Sequence, residues 1–547
     1  MVNSNKLKDS LFIVLFFIST LYTFSLGNLY YLTTKGPDYN FYKPYFDYFL
    51  INQNTTGIEQ GLLYYFINSL LIYSNSEIVS SVNAAEYFSN SIQLGNFIFY
   101  LIGLLGLGIF LKDKKFKTRN IFFALTMVNF FPPAFEFRLM FKPEVLIFSC
   151  LIWAIVFLEK YLKERNILYL LFTVPPLAVI FTTKANLALM VFLYLMFIYL
   201  NKIFNINKSN FYKSVVVFLI FFIGLSYENY QANELLIFQH QSPEEFLGSA
   251  ELSYLYNLDI NSLISNPFRD SQRDSYIGVL LLDTFDDYFG NFWTDDSSVF
   301  FHDRTQIINN RLIPFTGIFL TLIFYFAVFL KIINKDKYRK FYVMPFYGIL
   351  VQMGLSQFIQ YDPRNGDVAK TYYYSFFLII VFSILISEIM KKYFNLSVVS
   401  GLIFILIFIH ILGFPKEENN ERAYLLEFNN ESNILCNLND FIFTNIDSQC
   451  STKEYLFCEY NFATIEKVII RNSEFNFEKF DSENIPIELS KNGEIIKARN
   501  YTACLEFVNK GYSVPKKYTL TNIPYLNFLN FLIFIFSIIY YLKIRKV

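Results

Sequence analysis

Apolar segments recur along the chain as far as residue 413, separated by polar connections of which two are long, and one more segment lies near the C-terminus. Several of them approach the roughly 20 apolar residues that a helix needs to cross a bilayer. The pattern therefore predicts a polytopic α-helical membrane protein with about twelve transmembrane helices. The apolar segments lie at 10–31, 92–111, 120–135, 145–158, 167–182, 185–200, 214–227, 312–333, 341–359, 371–390, 396–413 and 523–542.

Lysine and arginine concentrate in every second connection between these segments. Short loops rich in Lys and Arg stay in the cytoplasm, so the alternation predicts that both termini are cytoplasmic. Lys6 and Lys8 precede the first apolar segment, and no clean cleavage site follows it, which predicts an uncleaved first transmembrane helix. The basic connections lie at 112–119, 159–165, 201–213, 331–340, 391–392 and 543–546.

The same alternation divides the chain into three parts. Residues 1–413 form the predicted transmembrane domain, with long extracytoplasmic loops at 32–91 and 228–311. Residues 414–522 form a predicted extracytoplasmic domain. Residues 523–547 contain the last predicted transmembrane helix and a basic cytoplasmic tail.

Residues 414–522 have the features of a small folded domain. Alternating stretches such as EKVIIRN and GEIIKAR predict strands, so we expect a C-terminal extracytoplasmic domain that is α/β or β-rich. Disulfides persist in oxidising compartments, and four of the five cysteines lie here, in agreement with the charge rule. Three pairings are open to them. These cysteines are Cys436, Cys450, Cys458 and Cys504.

Composition agrees with a membrane protein. The chain is 54% hydrophobic and 17% charged, whereas soluble domains carry about 25% charged residues. Its 46 basic and 46 acidic residues give a net charge of +0. That balance gives no sign of a nucleic-acid partner, because nucleic-acid-binding domains are typically basic.

Ionisable residues at the ends of the apolar segments collect on the predicted extracytoplasmic side. Asp38 follows a Gly-Pro turn after the first segment, and Lys184 lies in TTKAN, the tightest link of the chain. FEFRLMFKPE and YDPRNGDVAKTYYY, at 135–144 and 361–374, contain most of the others. Such residues are costly in a membrane and often functional. The remaining members are Glu136, Arg138, Lys142, Glu144, Glu228, Asp362, Arg364, Asp367 and Lys370.

This set of charges suits an enzyme that takes a sugar from a polyprenyl-phosphate carrier in the lipid bilayer. Apolar helix faces hold the lipid tail, and Arg or Lys at the helix ends hold the phosphate. A carboxylate takes the proton from the acceptor hydroxyl as it attacks the anomeric carbon, and nearby cations stabilise the leaving phosphate. The candidate phosphate ligands are Arg138, Lys142 and Lys184, with Arg364 and Lys370 as secondary candidates.

The sequence resembles the GT-C superfamily of integral membrane glycosyltransferases, which includes the protein O-mannosyltransferases and the aminoarabinose transferases of lipid A. The resemblance rests on GPDYNFYKPYFDYF in the first loop, FRLMFKPEVLIF at the start of the fourth segment, TTKAN, and a terminal extracytoplasmic domain. It implies an inverting transfer from a polyprenyl-phosphate-linked sugar to an extracytoplasmic glycan, lipid or protein. The catalytic base of the superfamily is an acidic residue of the first loop, and Asp38 matches it. Many members have two adjacent acidic residues there, whereas here Asp47 follows nine residues later.

The first loop also allows structural explanations. Asp38 can cap the helix that follows it, and this role is compatible with catalysis. Asp47 can form a helix-surface pair with Lys43, which is the interpretation that we favour for Asp47. The aromatic residues of 39–49 are typical of a belt at the membrane interface. Residues 57–73 are apolar on one side, which predicts a helix lying on the membrane surface.

The cations allow structural explanations as well. Arg138 and Lys142 can anchor helix ends, although cations at extracytoplasmic ends oppose the positive-inside bias. Lys184 lies in a link too short to be an ordinary solvated loop. Arg364 and Lys370 can instead pair with the aspartates of their own loop.

No metal or nucleotide site is predicted from the residues. The aspartate-rich stretch 284–304 matches no metal-binding loop, and the chain has only three histidines. Neither a P-loop nor a dinucleotide fingerprint is present. Because some members of the superfamily need a divalent metal and others do not, the resemblance leaves a divalent cation open as a cofactor.

Two other classes of protein remain open. O-antigen ligases and polymerases also have many spans and a large extracytoplasmic loop with key arginines, but they do not depend on a first-loop carboxylate. A lipid-linked glycan transporter or flippase would place its charges near the bilayer midplane, whereas the charges here lie at one surface. For location we expect the bacterial inner (plasma) membrane.

Overall fold

A computed structural model describes most of the helical part of the chain and four short strands. The described residues are 4–30, 39–50, 52, 60–74, 84–203, 206–234, 253–258, 260, 276–285, 312–358, 375–412, 441–443, 468–470, 487–491, 494–498 and 520–545. The helices, numbered along the chain, are α1 Ser4–Tyr30, α2 Tyr39–Leu50, α3 Leu62–Ser74, α4 Ala84–Asp113, α5 Thr118–Asn129, α6 Pro132–Leu139, α7 Glu144–Glu164, α8 Ile167–Phe172, α9 Val174–Thr183, α10 Ala185–Ile203, α11 Lys208–Asn233, α12 Ser253–Tyr256, α13 Tyr276–Asp283, α14 Leu312–Ile333, α15 Arg339–Tyr342, α16 Met344–Phe358, α17 Ser375–Lys392, α18 Phe394–Leu412 and α19 Tyr525–Arg545. The strands are β1 Phe441–Phe443, β2 Val468–Ile470, β3 Ile487–Lys491 and β4 Glu494–Ala498.

Every predicted apolar segment coincides with a helix or with consecutive helices. The segment 167–182 divides into α8 and α9, because Pro175 and Pro176 lack the N–H groups that would continue α8. Within the described residues, the helices long and apolar enough to cross a membrane are α1, α4, α7, α11, α14 and α19. The chain is therefore a polytopic helical membrane protein, and the larger number of spans stays a prediction.

The centre of the helical bundle is α7, whose residues from Glu144 to Phe157 are all buried. Helix α4 packs closely against it, since a Cβ atom on Gly103 would lie only 2.3 Å from Cε1 of Phe148. Trp153 Nε1 of α7 donates a hydrogen bond to Ile102 O of α4 at 2.9 Å. In a membrane, small residues permit such close packing and polar groups reinforce it. The close contact between α4 and α7 therefore fixes the positions of the residues at the ends of these two helices.

Several outer helices expose large apolar side chains to their surroundings. Ile220 of α11, Phe326 of α14 and Leu406 of α18 are 66%, 62% and 66% exposed. Soluble proteins rarely expose such residues over contiguous areas. These faces therefore fit contact with the hydrocarbon of a bilayer.

The basic connections lie together at one end of the bundle, which we call the basic end. Lys114 pairs with Glu159 at 2.6 Å, and Arg545 pairs with Asp113 at 2.8 Å. Tyr338 OH donates to Lys114 O at 3.0 Å. These contacts join four of the basic connections and confirm that they share one side. That this side is cytoplasmic stays a prediction.

The helix predicted at 57–73 is present as α3, and other helices cover much of its surface. Its residues pack against α2, α4, α9 and α19, and even the polar side chains of Asn68 and Ser69 are buried. The polar face predicted to meet lipid headgroups therefore meets other helices instead, and the location of α3 at the membrane surface stays a prediction.

The strands lie within 414–522 and form two antiparallel pairs, β1 with β2 and β3 with β4. Strand β2 falls within EKVIIRN and β4 within GEIIKAR, so both predicted strands are confirmed. A complete α/β or β-rich domain in this part of the chain stays a prediction.

Candidate active site

The stretch 138–144, between the end of α6 and the start of α7, lies at the end of the bundle opposite the basic end. Asn96 of α4 donates from Nδ2 to the carbonyls of Arg138 and Met140, both at 2.8 Å. Tyr64 of α3 donates to Asn96 Oδ1 at 2.7 Å. Two neighbouring helices therefore fix the backbone of this stretch.

Arg138 is a buried cation, only 2% exposed. It donates from Nη2 to Thr23 O at 3.1 Å and from Nη1 to Thr23 Oγ1 at 3.4 Å. The guanidinium also lies 5.1 Å from the ring centroids of Tyr100 and Phe135, a cation–π geometry. Burial lowers its pKa to about 10, so it stays charged at neutral pH. Within the described residues, no carboxylate pairs with it and its Nε–H has no acceptor.

Lys184 and Glu144 form a buried ion pair. Lys184 is the single extended residue between α9 and α10, and its Nζ lies 2.8 Å from Glu144 Oε1. Glu144 is the first residue of α7, where the helix dipole favours a carboxylate. Its Oε2 is buried and accepts no hydrogen bond from the residues that the structure describes. The pair ties the start of the central helix to the α9–α10 link.

Lys142 is also buried, at 2% exposed. The structure therefore brings Arg138, Lys142, Glu144 and Lys184 to the same end of the bundle and removes all four from solvent. We call these four residues the charged cluster. The sequence placed them on one side, but it carried no signal that Glu144 and Lys184, 40 residues apart, pair with each other.

Helix α2 begins at the residue after Asp38 and packs against Phe141, the residue before Lys142 in the stretch 138–144. The ring of Phe141 stacks on Phe46 at a centroid distance of 4.9 Å and meets Tyr42 at 6.4 Å. It also contacts Tyr65 of α3 at 5.2 Å. The aromatic residues of α2 were expected to form an interfacial belt, and for four of them this is wrong, because they point into the protein. These four are Tyr42, Tyr45, Phe46 and Phe49.

Gln60 organises the first loop beneath α2. Its Nε2 donates to Tyr42 OH and its Oε1 accepts from Tyr65 OH, each at 2.5 Å. Tyr45 OH donates to Gln60 O at 2.5 Å and accepts from Gln60 N at 3.0 Å. Asn233 of α11 adds a hydrogen bond to the same carbonyl at 3.2 Å. Sequence reasoning missed this group, because an isolated glutamine among tyrosines has no distinctive spacing.

The residue after Gln60 touches the link that carries Lys184. Gly61 N donates to Thr183 O at 3.0 Å, and a Cβ atom on Gly61 would lie 2.6 Å from Thr182 O. Only glycine fits this close approach of two backbones. Asn229 of α11 closes the junction by donating to Thr182 O at 3.0 Å.

Glu228 is a helix cap, although the sequence placed it among the functional candidates. Its carboxylate accepts from the N–H groups of Leu526 and Asn527 at 2.9 and 2.8 Å, and from Asn527 Nδ2 at 2.7 Å. These N–H groups belong to the first turn of α19, which lacks internal acceptors for them. Glu228 therefore fixes the start of the last helix to the end of α11.

The segment just before α19 is hydrogen-bonded to the end of α2. Thr521 N donates to Phe49 O at 2.8 Å, and Asn522 Nδ2 donates to Tyr48 O at 2.9 Å. These carbonyls belong to the last turn of α2 and have no partners inside that helix. The polypeptide leaving residues 414–522 is thus attached to the helix that follows Asp38.

Three of the proposed site residues lie outside the part of the chain that the structure describes: Asp38, Arg364 and Lys370. The four cysteines of 414–522 and the aspartates of 286–303 lie outside it as well. Within the described residues, no group of three or more His, Cys, Asp or Glu side chains is arranged to hold a metal ion. A divalent cation therefore finds no ligand set among them.

The comparison with protein families gives one match, and it covers the charged cluster. Residues 85–227 match the family described as dolichyl-phosphate-mannose-protein mannosyltransferase. No curated protein and no solved structure matches the chain. The match runs from α4 to α11 and so includes Arg138, Lys142, Glu144 and Lys184. The match supports the resemblance to the GT-C superfamily of membrane glycosyltransferases over residues 85–227.

Proposed function

We propose that this protein transfers a sugar from a polyprenyl-phosphate carrier to an extracytoplasmic glycan, lipid or protein, with Asp38 as the general base. The observation that carries the proposal is the family match over 85–227, because that segment contains the whole charged cluster.

Arg138 supports a role in binding the donor phosphate. It is a buried cation with no carboxylate partner among the described residues, and its Nε–H is unsatisfied. An unpaired buried charge is costly, and a phosphate is the anion that a guanidinium binds best, through paired hydrogen bonds. In the proposal Lys142 and Lys184 share this role, and Arg364 and Lys370 are secondary ligands.

The position of α2 supports the role of Asp38. Since α2 starts at the next residue and contacts Phe141, Asp38 is attached to an element that packs against the stretch 138–144, which contains three members of the charged cluster. In the proposed reaction its carboxylate removes the proton of the acceptor hydroxyl. The hydroxyl oxygen bonds to the anomeric carbon while the bond to the carrier phosphate breaks, so the configuration inverts. The cations stabilise the charge on the leaving phosphate.

The first test is sugar transfer by the purified protein in detergent, with radiolabelled polyprenyl-phosphate sugars as donors. We expect Asp38→Asn to lower kcat by roughly 10²–10⁴-fold, the usual contribution of a general base. Asp47→Asn is the matched control, because Asp47 lies on the same short stretch and is interpreted as a helix-surface residue. It should transfer at nearly the wild-type rate.

Both variants must remain folded and still bind the lipid phosphate for this comparison to hold. Equal turnover by wild type and Asp38→Asn would remove Asp38 from the mechanism and favour a ligase-type reaction that depends on arginines. No turnover with any donor, together with transport of a lipid-linked glycan, would favour the transporter class.

A further inference from the structure

A second charged cavity lies at the basic end, far along the helices from the charged cluster. It has a volume of about 340 Å³ and is bounded by the C-terminal ends of α7 and α10 and by the turn after α4. Helix α7 itself separates it from the other site, since Glu144 and Glu159 lie four helical turns apart. The residues lining this cavity are Lys114, Glu159, Leu162, Lys163, Arg165 and Lys202.

The cavity carries an excess of positive charge. Its carboxylate, Glu159, already accepts from Lys114 Nζ at 2.6 and 2.8 Å and from Tyr199 OH at 3.0 Å. Lys163 and Lys202 are exposed at the rim and form no ion pair with any residue that the structure describes. Two helix C-termini contribute only about half a negative charge each. The partial charges of the two helix ends therefore do not neutralise Lys163 and Lys202.

Apolar surface adjoins the cationic rim. Leu162 lines the cavity itself. Leu168, three residues beyond Arg165, is 38% exposed, and Phe197, on α10 before Lys202, is 52% exposed. An anion that binds here therefore meets the apolar side chain of Leu162 within the cavity, and exposed apolar residues lie on the two helices that lead to it. This combination of a cationic recess and an apolar border matches a phospholipid, which carries a phosphate and two acyl chains.

We propose that this cavity binds the phosphate headgroup of an anionic phospholipid from the leaflet at the basic end, with Lys163 and Lys202 as its ligands. The site is separate from the sugar-transfer site, so the two proposals stand or fall independently. The acyl chains lie along the exposed apolar faces of α8 and α10. Because Glu159 and Tyr199 join α7 to α10, a lipid bound across both helix ends fastens them together at this end.

The test is native mass spectrometry of the full chain with equal amounts of added phosphatidylglycerol and phosphatidylcholine. We expect the wild type to retain phosphatidylglycerol preferentially. The double variant Lys163→Gln/Lys202→Gln should lower its affinity by roughly 25-fold, because each lysine beside an anionic headgroup contributes roughly fivefold. Lys163→Arg/Lys202→Arg keeps both charges and should retain the preference. Unchanged thermal unfolding of the variants shows that they are folded.

Lys391→Gln/Lys392→Gln is the matched control, because it removes two exposed lysines at the same end without touching the cavity. An equal loss in this control would mean that the lipid responds only to general surface charge, and it would overturn the site. Absence of any headgroup preference in the wild type would overturn it too. Displacement of the lipid by inorganic phosphate at millimolar concentration would show a soluble-phosphate site instead of a lipid site.

Discussion

At the scale of single residues, the Glu144–Lys184 pair decides how the charged cluster is held. The two groups are 1% and 11% exposed as side chains, so water screens their attraction very little. Each would be costly to bury alone. Their contact at 2.8 Å therefore makes the position of each depend on the other.

We expect Lys184→Met to lower the free energy of unfolding by about 3–5 kcal/mol, since it leaves Glu144 buried without its partner. The double variant Lys184→Met/Glu144→Gln should regain most of that loss. If Lys184 also binds the donor phosphate, the double variant will keep a raised KM for the donor despite its recovered stability. Unfolding in detergent and donor titration measure the two effects.

The partly exposed pair of Lys160 and Glu164 on α7 is the matched control for this prediction. Lys160→Met should cost only about 0.3–0.5 kcal/mol, as helix-surface pairs do. A loss of similar size in Lys184→Met would show that the buried pair contributes little.

The sequence predicted some residues of the candidate site and missed others. It identified Arg138, Lys142 and Lys184 as unusual because cations at the predicted extracytoplasmic ends oppose the charge bias. It missed the role of Gln60, because side chains far apart in sequence meet only after the helices have packed. Asp38 stays a prediction of the sequence and the resemblance.

At the scale of elements, the junction of α2, α11 and α19 shows how the last helix is positioned. Glu228 caps α19 from α11, and Asn530 of α19 donates to Pro175 O at 3.2 Å. That carbonyl lies at the first turn of α9, which the prolines separate from α8. The last helix is therefore attached to α11 through Glu228 and to α9, the helix that leads into Lys184, through Asn530.

Glu228→Gln should destabilise the protein by about 1 kcal/mol, because a neutral amide replaces the carboxylate that accepts from the first turn of α19. Glu234→Gln is a suitable control, since Glu234 ends α11 six residues later and is exposed. Thermal unfolding in detergent gives the comparison. If Glu228→Gln and Glu234→Gln unfold at the same temperature, the carboxylate of Glu228 does not stabilise the start of α19.

Helices were predictable where they are apolar throughout, as the agreement between the apolar segments and the observed helices shows. The sequence predicted 120–135 as one apolar segment and 136–144 as a link, whereas the structure divides the segment into α5 and α6 at Pro132 and Pro133 and continues α6 to Leu139. The enclosed position of α3 was also missed. Its amphipathic pattern is the same whether lipid headgroups or other helices cover the polar face.

At the scale of the whole molecule, the dominant feature is that the two ends of the helical bundle carry different sets of charged residues. The basic end contains the ion pairs Lys114–Glu159 and Arg545–Asp113. The charged cluster lies at the other end. The positive-inside rule then predicts which end faces the cytoplasm.

Thiol labelling of intact cells tests this orientation. We expect a membrane-impermeant reagent to label Tyr525→Cys above the wild-type background, because residue 525 is 71% exposed at the end of the charged cluster. Lys391→Cys, exposed near the basic end, should react only after the membrane is permeabilised. The reverse pattern would invert the topology and place the charged cluster in the cytoplasm.

The hydrogen bonds from Thr521 and Asn522 to the end of α2 have a consequence for biosynthesis. The carbonyls of Tyr48 and Phe49 emerge from the ribosome early, yet their donors follow more than 470 residues later. Throughout translation the last turn of α2 therefore lacks these partners. A nascent or truncated chain that ends before residue 520 contains the whole charged cluster, but the helix beside Asp38 is not yet fastened. The end of α2 is therefore fixed only after Thr521 and Asn522 have been synthesised, long after the charged cluster is complete in sequence.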